Sequence, residues 1–155
     1  MATIHGTVCH IFSDGSLLLL RKSTGLFGGG KWNGPGGKLR VGEDQKECAI
    51  REVLEETGLT VQEIKQHGIL EFYFGSKKEP DWIVYVFSTH SFRGIAKSSS
   101  EGEVRWFRAN EIPYDEMWED DRYWLPLVTQ GKNFRWIFYY DEEGNHLIEH
   151  TLTEE

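Results

Sequence analysis

Short apolar blocks and apolar–polar alternation run along most of the chain, broken at regular intervals by Gly, Asp, Asn and Ser. Residues 4–12 (IHGTVCHIF) and 16–21 (SLLLLR) read as two strands around the turn signal Ser13-Asp14-Gly15. The segment 23–37, STGLFGGGKWNGPGG, holds seven glycines in fifteen positions. Such a backbone turns sharply and can approach a ligand closely. Neither Gly nor Pro interrupts 44–57, whose period is helical, and Gly58 follows as a stop. A strand containing ILEFYF is predicted within 59–74, a second over 82–89, and a short third over 104–108 after the Ser98-Ser99-Ser100 loop. Residues 109–114 are predicted to form a short helical turn limited by Pro113. The pattern over 121–129 is helical, with Pro126 tolerated only near the first turn or as a kink. A hairpin of 134–140 and 147–152 closes the chain. Strands dominate without alternating with helices, so the pattern predicts an α+β fold, a mixed sheet with helices packed on it, rather than a βαβ array.

Composition narrows the classes. A chain of 155 residues with 39% apolar content is expected to be one domain, 1–155, around one core. The formal charge of -8 leaves no broad basic surface for long nucleic acids. The longest apolar run, 82–87, is too short to span a membrane, and the N-terminus lacks the marks of a signal peptide. Cys9 and Cys48 are too few for a disulfide framework, and together these features predict a reducing, cytoplasmic setting; a monomer is the expected state, although none of these features derives it. Gly36-Gly37-Lys38-Leu39 lacks the Ser or Thr of a P-loop, and Gly34, Gly36 and Leu39 fail the dinucleotide fingerprint. The histidines show no close metal spacing except a loose His146/His150 pair, which reads as two surface groups. Cys48 reads as a small packing residue.

The helix over 44–57 carries the candidate chemistry. With Glu52 at zero, Glu55 falls near ~300° and Glu56 near ~40°, so three carboxylates share a stripe. Val53, Ile50 and Leu54 fall near roughly 100°, 160° and 200°, which predicts a core-facing side opposite the acids. Cys48 and Ala49 lie one turn earlier on the acid side and would let another segment come close. Like charges at this spacing repel by about 0.2–0.5 kcal/mol per pair. A hard divalent cation would cancel that repulsion, and carboxylates without nearby His or Cys favour Mg²⁺ or Mn²⁺ over Zn²⁺. An ordinary solvated acidic face accounts equally well for Glu55 and Glu56 taken alone.

The full spacing is more specific: Gly37, five residues, Glu43, seven residues, then Arg51-Glu52-Val53-Leu54-Glu55-Glu56-Thr57-Gly58-Leu59. It resembles the box of the Nudix hydrolases, G-x5-E-x7-R-E-U-x-E-E-x-G-U with U aliphatic, and every fixed position is met. The resemblance implies the Nudix fold, a mixed β-sheet sandwiched between α-helices, and Mg²⁺-dependent hydrolysis of a nucleoside diphosphate linked to another group. It also implies that Glu52, Glu55 and Glu56 bind the metal with help from the Gly36 carbonyl, that Arg51 pairs with Glu52 or Glu43, and that Glu52 deprotonates the attacking water. Glu101 is a further candidate metal ligand, with Glu103 as its competitor.

Beyond the box, Gly25 to Gly34, Phe72-Tyr73-Phe74 and Met117 to Trp124 resemble the branch of that family that hydrolyses oxidised purine nucleoside triphosphates. Phe27, Phe72, Phe74 and Trp118 offer flat walls for a base, Asn33 a donor and an acceptor, and Gly37 and Lys38 contacts to phosphate. Core packing for Phe72 and Phe74, and a turn role for Asn33, remain open on the sequence. If buried, the adjacent acids Asp120 and Asp121 would not both ionise easily, so one could keep its proton and the pair present a donor and an acceptor to a purine edge. Alternatively Asp121 caps a helix beside solvated acids. This sequence departs from the branch pattern at Val8, Pro35 and Glu119, and Lys22 stands where the phosphate-contacting Lys is shifted or lost. Those changes bear on the base and leave the pyrophosphate chemistry intact. Other nucleoside diphosphate derivatives, such as an ordinary dNTP, a dinucleoside polyphosphate, ADP-ribose or capped RNA, are alternative substrates, and a non-catalytic nucleotide-binding regulator is a third possibility.

Overall fold

The computed structural model describes residues 2–23, 29–100 and 102–154, with nine strands and two α-helices among them. The strands are β1 (Ile4–Ser13), β2 (Ser16–Lys22), β3 (Trp32–Asn33), β4 (Gly36–Lys38), β5 (Thr60–Phe74), β6 (Trp82–Arg93), β7 (Gly102–Arg108), β8 (Phe134–Tyr140) and β9 (Leu147–Glu154). The helices are α1 (Gln45–Thr57) and α2 (Asp121–Thr129). Residues 109–114, expected as one helical turn, give way to two separate 3₁₀ turns, Ala109–Glu111 and Tyr114–Glu116. Pro113 has no N–H to donate, so one continuous ladder cannot run through it.

The main sheet path is β3-β2-β1-β6-β5-β8-β9, with β4 on β1 and β7 on β2. β1–β6 and β5–β8 are parallel and the other pairs antiparallel, so the sheet is mixed as expected. The edge of β1 is shared: its C-terminal end pairs with β2, while Gly6–Val8 pair with β4. That split brings Gly36 and Gly37, at the end of the glycine-dense segment, onto the sheet. The sequence pattern missed β3 and β4 because glycine density masks strands this short.

Both faces of β1 are covered, and side chains alternate between them. Cys9 and Ile11 join Leu18, Val53 and Phe87 in the layer under α1. Val8 joins Leu17, Leu19, Val86 and Trp124 in the layer under α2. The helices therefore flank the sheet on opposite faces. His10 follows Val8 into the α2 layer, where it is fully buried against Trp124, ring centroids 5.3 Å apart. Burial drives its pKa down to about 3, and neither ring nitrogen reaches a partner at hydrogen-bonding geometry among the described residues. His150 was expected at the surface. It is instead half-buried, 4.1 Å from the Tyr123 ring centroid, and accepts from Trp136 Nε1 at 3.2 Å. Among the described residues no helix is long and apolar enough to cross a membrane.

Candidate active site

α1 begins at a capping box. The Asp44 side chain accepts the Glu47 backbone N–H at 2.8 Å, and the Glu47 side chain accepts the Asp44 N–H at 3.1 Å. The helix ends at Gly58, whose φ of 81° is left-handed and which favours glycine there. Its packing differs from the expectation in one respect. Cys48, Ala49, Val53, Glu56 and Thr57 are buried, whereas Leu54 is half exposed. The buried arc thus overlaps the acid stripe instead of opposing it, because the small Cys48 and Ala49 let β1 and β4 close on that side. The Cys48 Sγ lies 3.3 Å from Thr7 Oγ1 and donates to the Gly37 carbonyl at 3.6 Å. Its role as a small packing residue is borne out.

The consequence is direct contact between the acids and the glycine backbone. Glu56, only 5% exposed, accepts the Gly36 N–H at 2.7 Å. At Gly37 a Cβ would collide with the Glu52 carboxylate, so glycine is what lets that carboxylate sit against the strand. Arg51 binds Glu43 with two prongs, Nε–Oε2 at 2.6 Å and Nη2–Oε1 at 2.9 Å, and also contacts Glu52 and, at 3.2 Å, Glu55. Both pairings considered for Arg51 therefore form. It donates as well to the Lys38 carbonyl at 3.2 Å, tying the end of β4 to the helix. The Arg51 hydrogen bonds hold Glu43 ionised down to about pH 2, and the carboxylates raise the guanidinium pKa in return. Glu55 is the outermost acid and also accepts from Arg40 at 3.2 Å.

These donors are carboxylate and backbone oxygens, the set that suits a hard divalent cation. As the side chains lie, no group of three or more His, Cys, Asp or Glu is placed to hold an ion among the described residues. Glu52, Glu55 and Glu56 are instead engaged by Arg51, Arg40 and the Gly36 amide. Glu101 lies outside the described residues, as does Phe27.

A cleft runs from this backbone to the α2 side of the sheet. Gly36 and Gly37 line one end, and Asn33, Phe72, Phe74, Trp118, Asp120 and Asp121 line the rest. Most of the residues singled out in the sequence are thus brought together. Phe72 and Phe74 both pack on the core and face the cleft, so the two readings of them coexist. Asn33 Oδ1 accepts the Gly34 N–H at 2.9 Å; that is the turn role, and it leaves the amide NH₂ as its other polar group. Lys38 does not line the cleft, its ammonium lying 5.7 Å from the Trp82 ring centroid, whereas Lys22 does.

Asp120 and Asp121 are buried, 4% and 1% exposed, and neither caps α2 with its side chain. The alternative of a helix cap beside solvated acids is excluded. Burial raises both pKa values, and the neighbouring Asp120 charge raises Asp121 further, well above the ordinary carboxylate range. Sequence reasoning did not single out Tyr140, Trp124 or Trp82, which also line the cleft. Two signals were available: period-2 alternation in β8 ends at Tyr140 on the inward face with Phe138, and Trp124 stands one helical turn after Asp120.

Residues 3–128 match the family model described as the NUDIX domain. The chain is 39% identical over 150 residues to the oxidized purine nucleoside triphosphate hydrolase of Danio rerio, covering 96% of this chain and 93% of that one. It is 36% identical over 149 residues to the protein of the same name from Mus musculus, with the same coverage. Among solved structures, the MutT protein of Bacillus halodurans superposes with a TM-score of 0.85 at 27% identity, covering 97% of both chains.

Proposed function

The chain belongs to the Nudix hydrolase family, which acts on nucleoside diphosphates linked to another group, and from that premise we propose that it is a Mg²⁺-dependent pyrophosphohydrolase. Its substrates in this proposal are oxidised purine nucleoside triphosphates such as 8-oxo-dGTP and 2-hydroxy-dATP, cleaved to monophosphate and pyrophosphate to sanitise the nucleotide pool. One observation carries the proposal. A single cleft joins an aromatic end with two buried acids to the Gly36–Gly37 backbone against which Glu56 and Glu52 rest. A flat polar base and a polyphosphate tail need those two environments within one reach. The names of the zebrafish and mouse relatives support the same substrate class.

In this account Glu52, Glu55 and Glu56, with the Gly36 carbonyl, hold Mg²⁺, for which Mn²⁺ can substitute. When bound, the ion neutralises the polyphosphate and lowers the pKa of water. Holding it requires side-chain rearrangement, because Arg51 and Arg40 occupy the acids as they lie. Arg51 is a positioning residue: its two-pronged grip on Glu43 leaves Nη1 to orient Glu52. Glu52 accepts the proton of the attacking water. Phe72, Phe74 and Trp118 stack the base, with Phe27 as a further wall. Asn33, Asp120 and Asp121 read its edge, Gly37 contacts the phosphates, and Lys38 reaches them only by leaving the Trp82 ring, with Glu101 assisting the metal. The whole chain acts as one domain.

A nucleotide panel with Mg²⁺ tests the proposal. It contains 8-oxo-dGTP, 2-hydroxy-dATP, dGTP, dATP and ADP-ribose, and records phosphate and pyrophosphate separately. Higher kcat/KM for the oxidised purines with pyrophosphate release is expected. Preference for ADP-ribose or for unmodified dNTPs would overturn the substrate assignment. The second of those outcomes has a specific basis in Val8, which lines the cleft where the branch pattern expects a Thr.

A further inference from the structure

Two core rings constrain the Asp120–Asp121 pair. Tyr140, at the end of β8, accepts the Asp120 backbone N–H on its hydroxyl oxygen at 3.0 Å. That contact fixes where the hydroxyl proton points: it is donated to Asp120 Oδ1, 2.5 Å away. Trp124 Nε1 can only donate, and it reaches Asp120 Oδ2 at 2.7 Å. Both carboxyl oxygens of Asp120 are therefore acceptors, and a neutral acid would have to fit its own proton beside one of these donors. Asp121 has the opposite surroundings. Its Oδ2 is buried without a hydrogen-bond partner among the described residues, although the residue lines the cleft.

We propose that Tyr140, together with Trp124, sets base specificity by holding Asp120 as the charged acceptor and leaving the pair's proton on Asp121, so that the cleft offers one fixed acceptor–donor order to a purine edge. The proposal rests on the nucleotide reading of the cleft. Tyr140 acts through Asp120 and is a positioning residue. A 6-oxo purine presents donors at N1 and the 2-amino group and an acceptor at O6; a 6-amino purine presents a donor at N6 and an acceptor at N1. An unclamped pair serves either order by moving its proton, and a clamped pair favours one.

The neighbouring charges are Glu119 beside Asp120, Lys31 and the Tyr114 phenol toward Asp121, and the neutral His10 on the far side of Trp124. Glu119 opposes a charge on Asp120, and Lys31 favours one on Asp121, so both work against the proposed order. The two donors on Asp120 must outweigh them. Burial raises both acids, and the Tyr140 and Trp124 donors hold Asp120 down while its charge pushes Asp121 up.

Tyr140→Phe keeps the ring and its contacts with Phe72, Phe74 and Trp118 and removes only the hydroxyl. The first readout needs no substrate: ¹³C NMR of the aspartate carboxyl carbons in ligand-free protein across pH. Asp120 is expected to be ionised and Asp121 protonated at neutral pH, and Tyr140→Phe to raise the Asp120 midpoint by about one unit. The second readout is the ratio of kcat/KM between a 6-oxo and a 6-amino purine nucleoside triphosphate. It should move about tenfold toward unity in the variant, mainly through KM. An ionised Asp121 in the wild type, an unmoved Asp120 midpoint, or a ratio unchanged within about twofold would each overturn the clamp. If no purine nucleotide is turned over, the nucleotide reading fails and takes the specificity role with it, while the carboxyl signals still show where the proton sits. If the variant does not fold, 3-fluorotyrosine at 140, a stronger donor, must lower the Asp120 midpoint, and no change there overturns the clamp.

Discussion

At Gly37 the absence of a side chain is what lets the Glu52 carboxylate rest against β4. Gly37→Ala should displace that carboxylate and lower kcat about 10²-fold, in the range seen when a catalytic acid or base loses its geometry. Circular dichroism should show the fold retained; full activity would mean that Glu52 does not work from this place. His10 gives a pH prediction. Its pKa is about 3 in the folded chain and 6.5 in the unfolded one. Between those values the unfolded chain binds the extra proton. The stability that depends on a neutral His10 is therefore complete above the unfolded value and lost as pH falls toward 3. Within the window the slope is about 1.4 kcal/mol per pH unit for this one group. Urea unfolding at neutral pH and about pH 5 should show a larger loss for the wild type than for His10→Leu. Equal losses would place the acid sensitivity elsewhere.

On α1, the sequence showed the helix from its period and its end from Gly58, whereas the Asp44–Glu47 box at its start, equally local chemistry, emerged only in the structure. Asp44→Ala should cost about 1 kcal/mol, a Tm drop of roughly 2–4 °C by calorimetry, with the active-site acids still in place. An unchanged Tm would show the box to be idle. Which side of α1 is buried was less legible. Periodicity favoured Ile50, Val53 and Leu54; Val53 is buried and Ile50 packs on the same core, but Leu54 is half exposed, because the packed face is set by how closely β1 and β4 approach Cys48 and Ala49, a tertiary fact. Arg51 belongs to the same scale, since it ties helix to loop. Arg51→Lys keeps the charge and loses the planar grip on Glu43. Turnover should fall by about tenfold or more, with little change in nucleotide affinity, if Arg51 orients Glu52; an affinity loss with kcat intact would contradict that role.

For the whole molecule, the mixed sheet was readable from strand-dominated patterning, and α2 from its period despite Pro126. β3 and β4 were not, because two or three residues among glycines carry no periodicity, yet they bring the glycine segment to α1. The cleft was half legible. Phe72, Phe74, Trp118 and the two acids stood out as chemistry, whereas Tyr140 and Trp124 look like ordinary core aromatics until the chain folds and their donors meet Asp120. The central claim is that the acids on α1 cleave what the cleft binds. Its most direct test measures Mg²⁺-dependent hydrolysis of 8-oxo-dGTP by the wild type, Glu52→Gln and Glu56→Gln, with nucleotide affinity measured alongside by calorimetry. The expected result is pyrophosphate release by the wild type and a loss of at least about 10²-fold in both variants, each still binding the nucleotide. Turnover surviving in both variants, or none in the wild type with Mg²⁺ supplied, would contradict it.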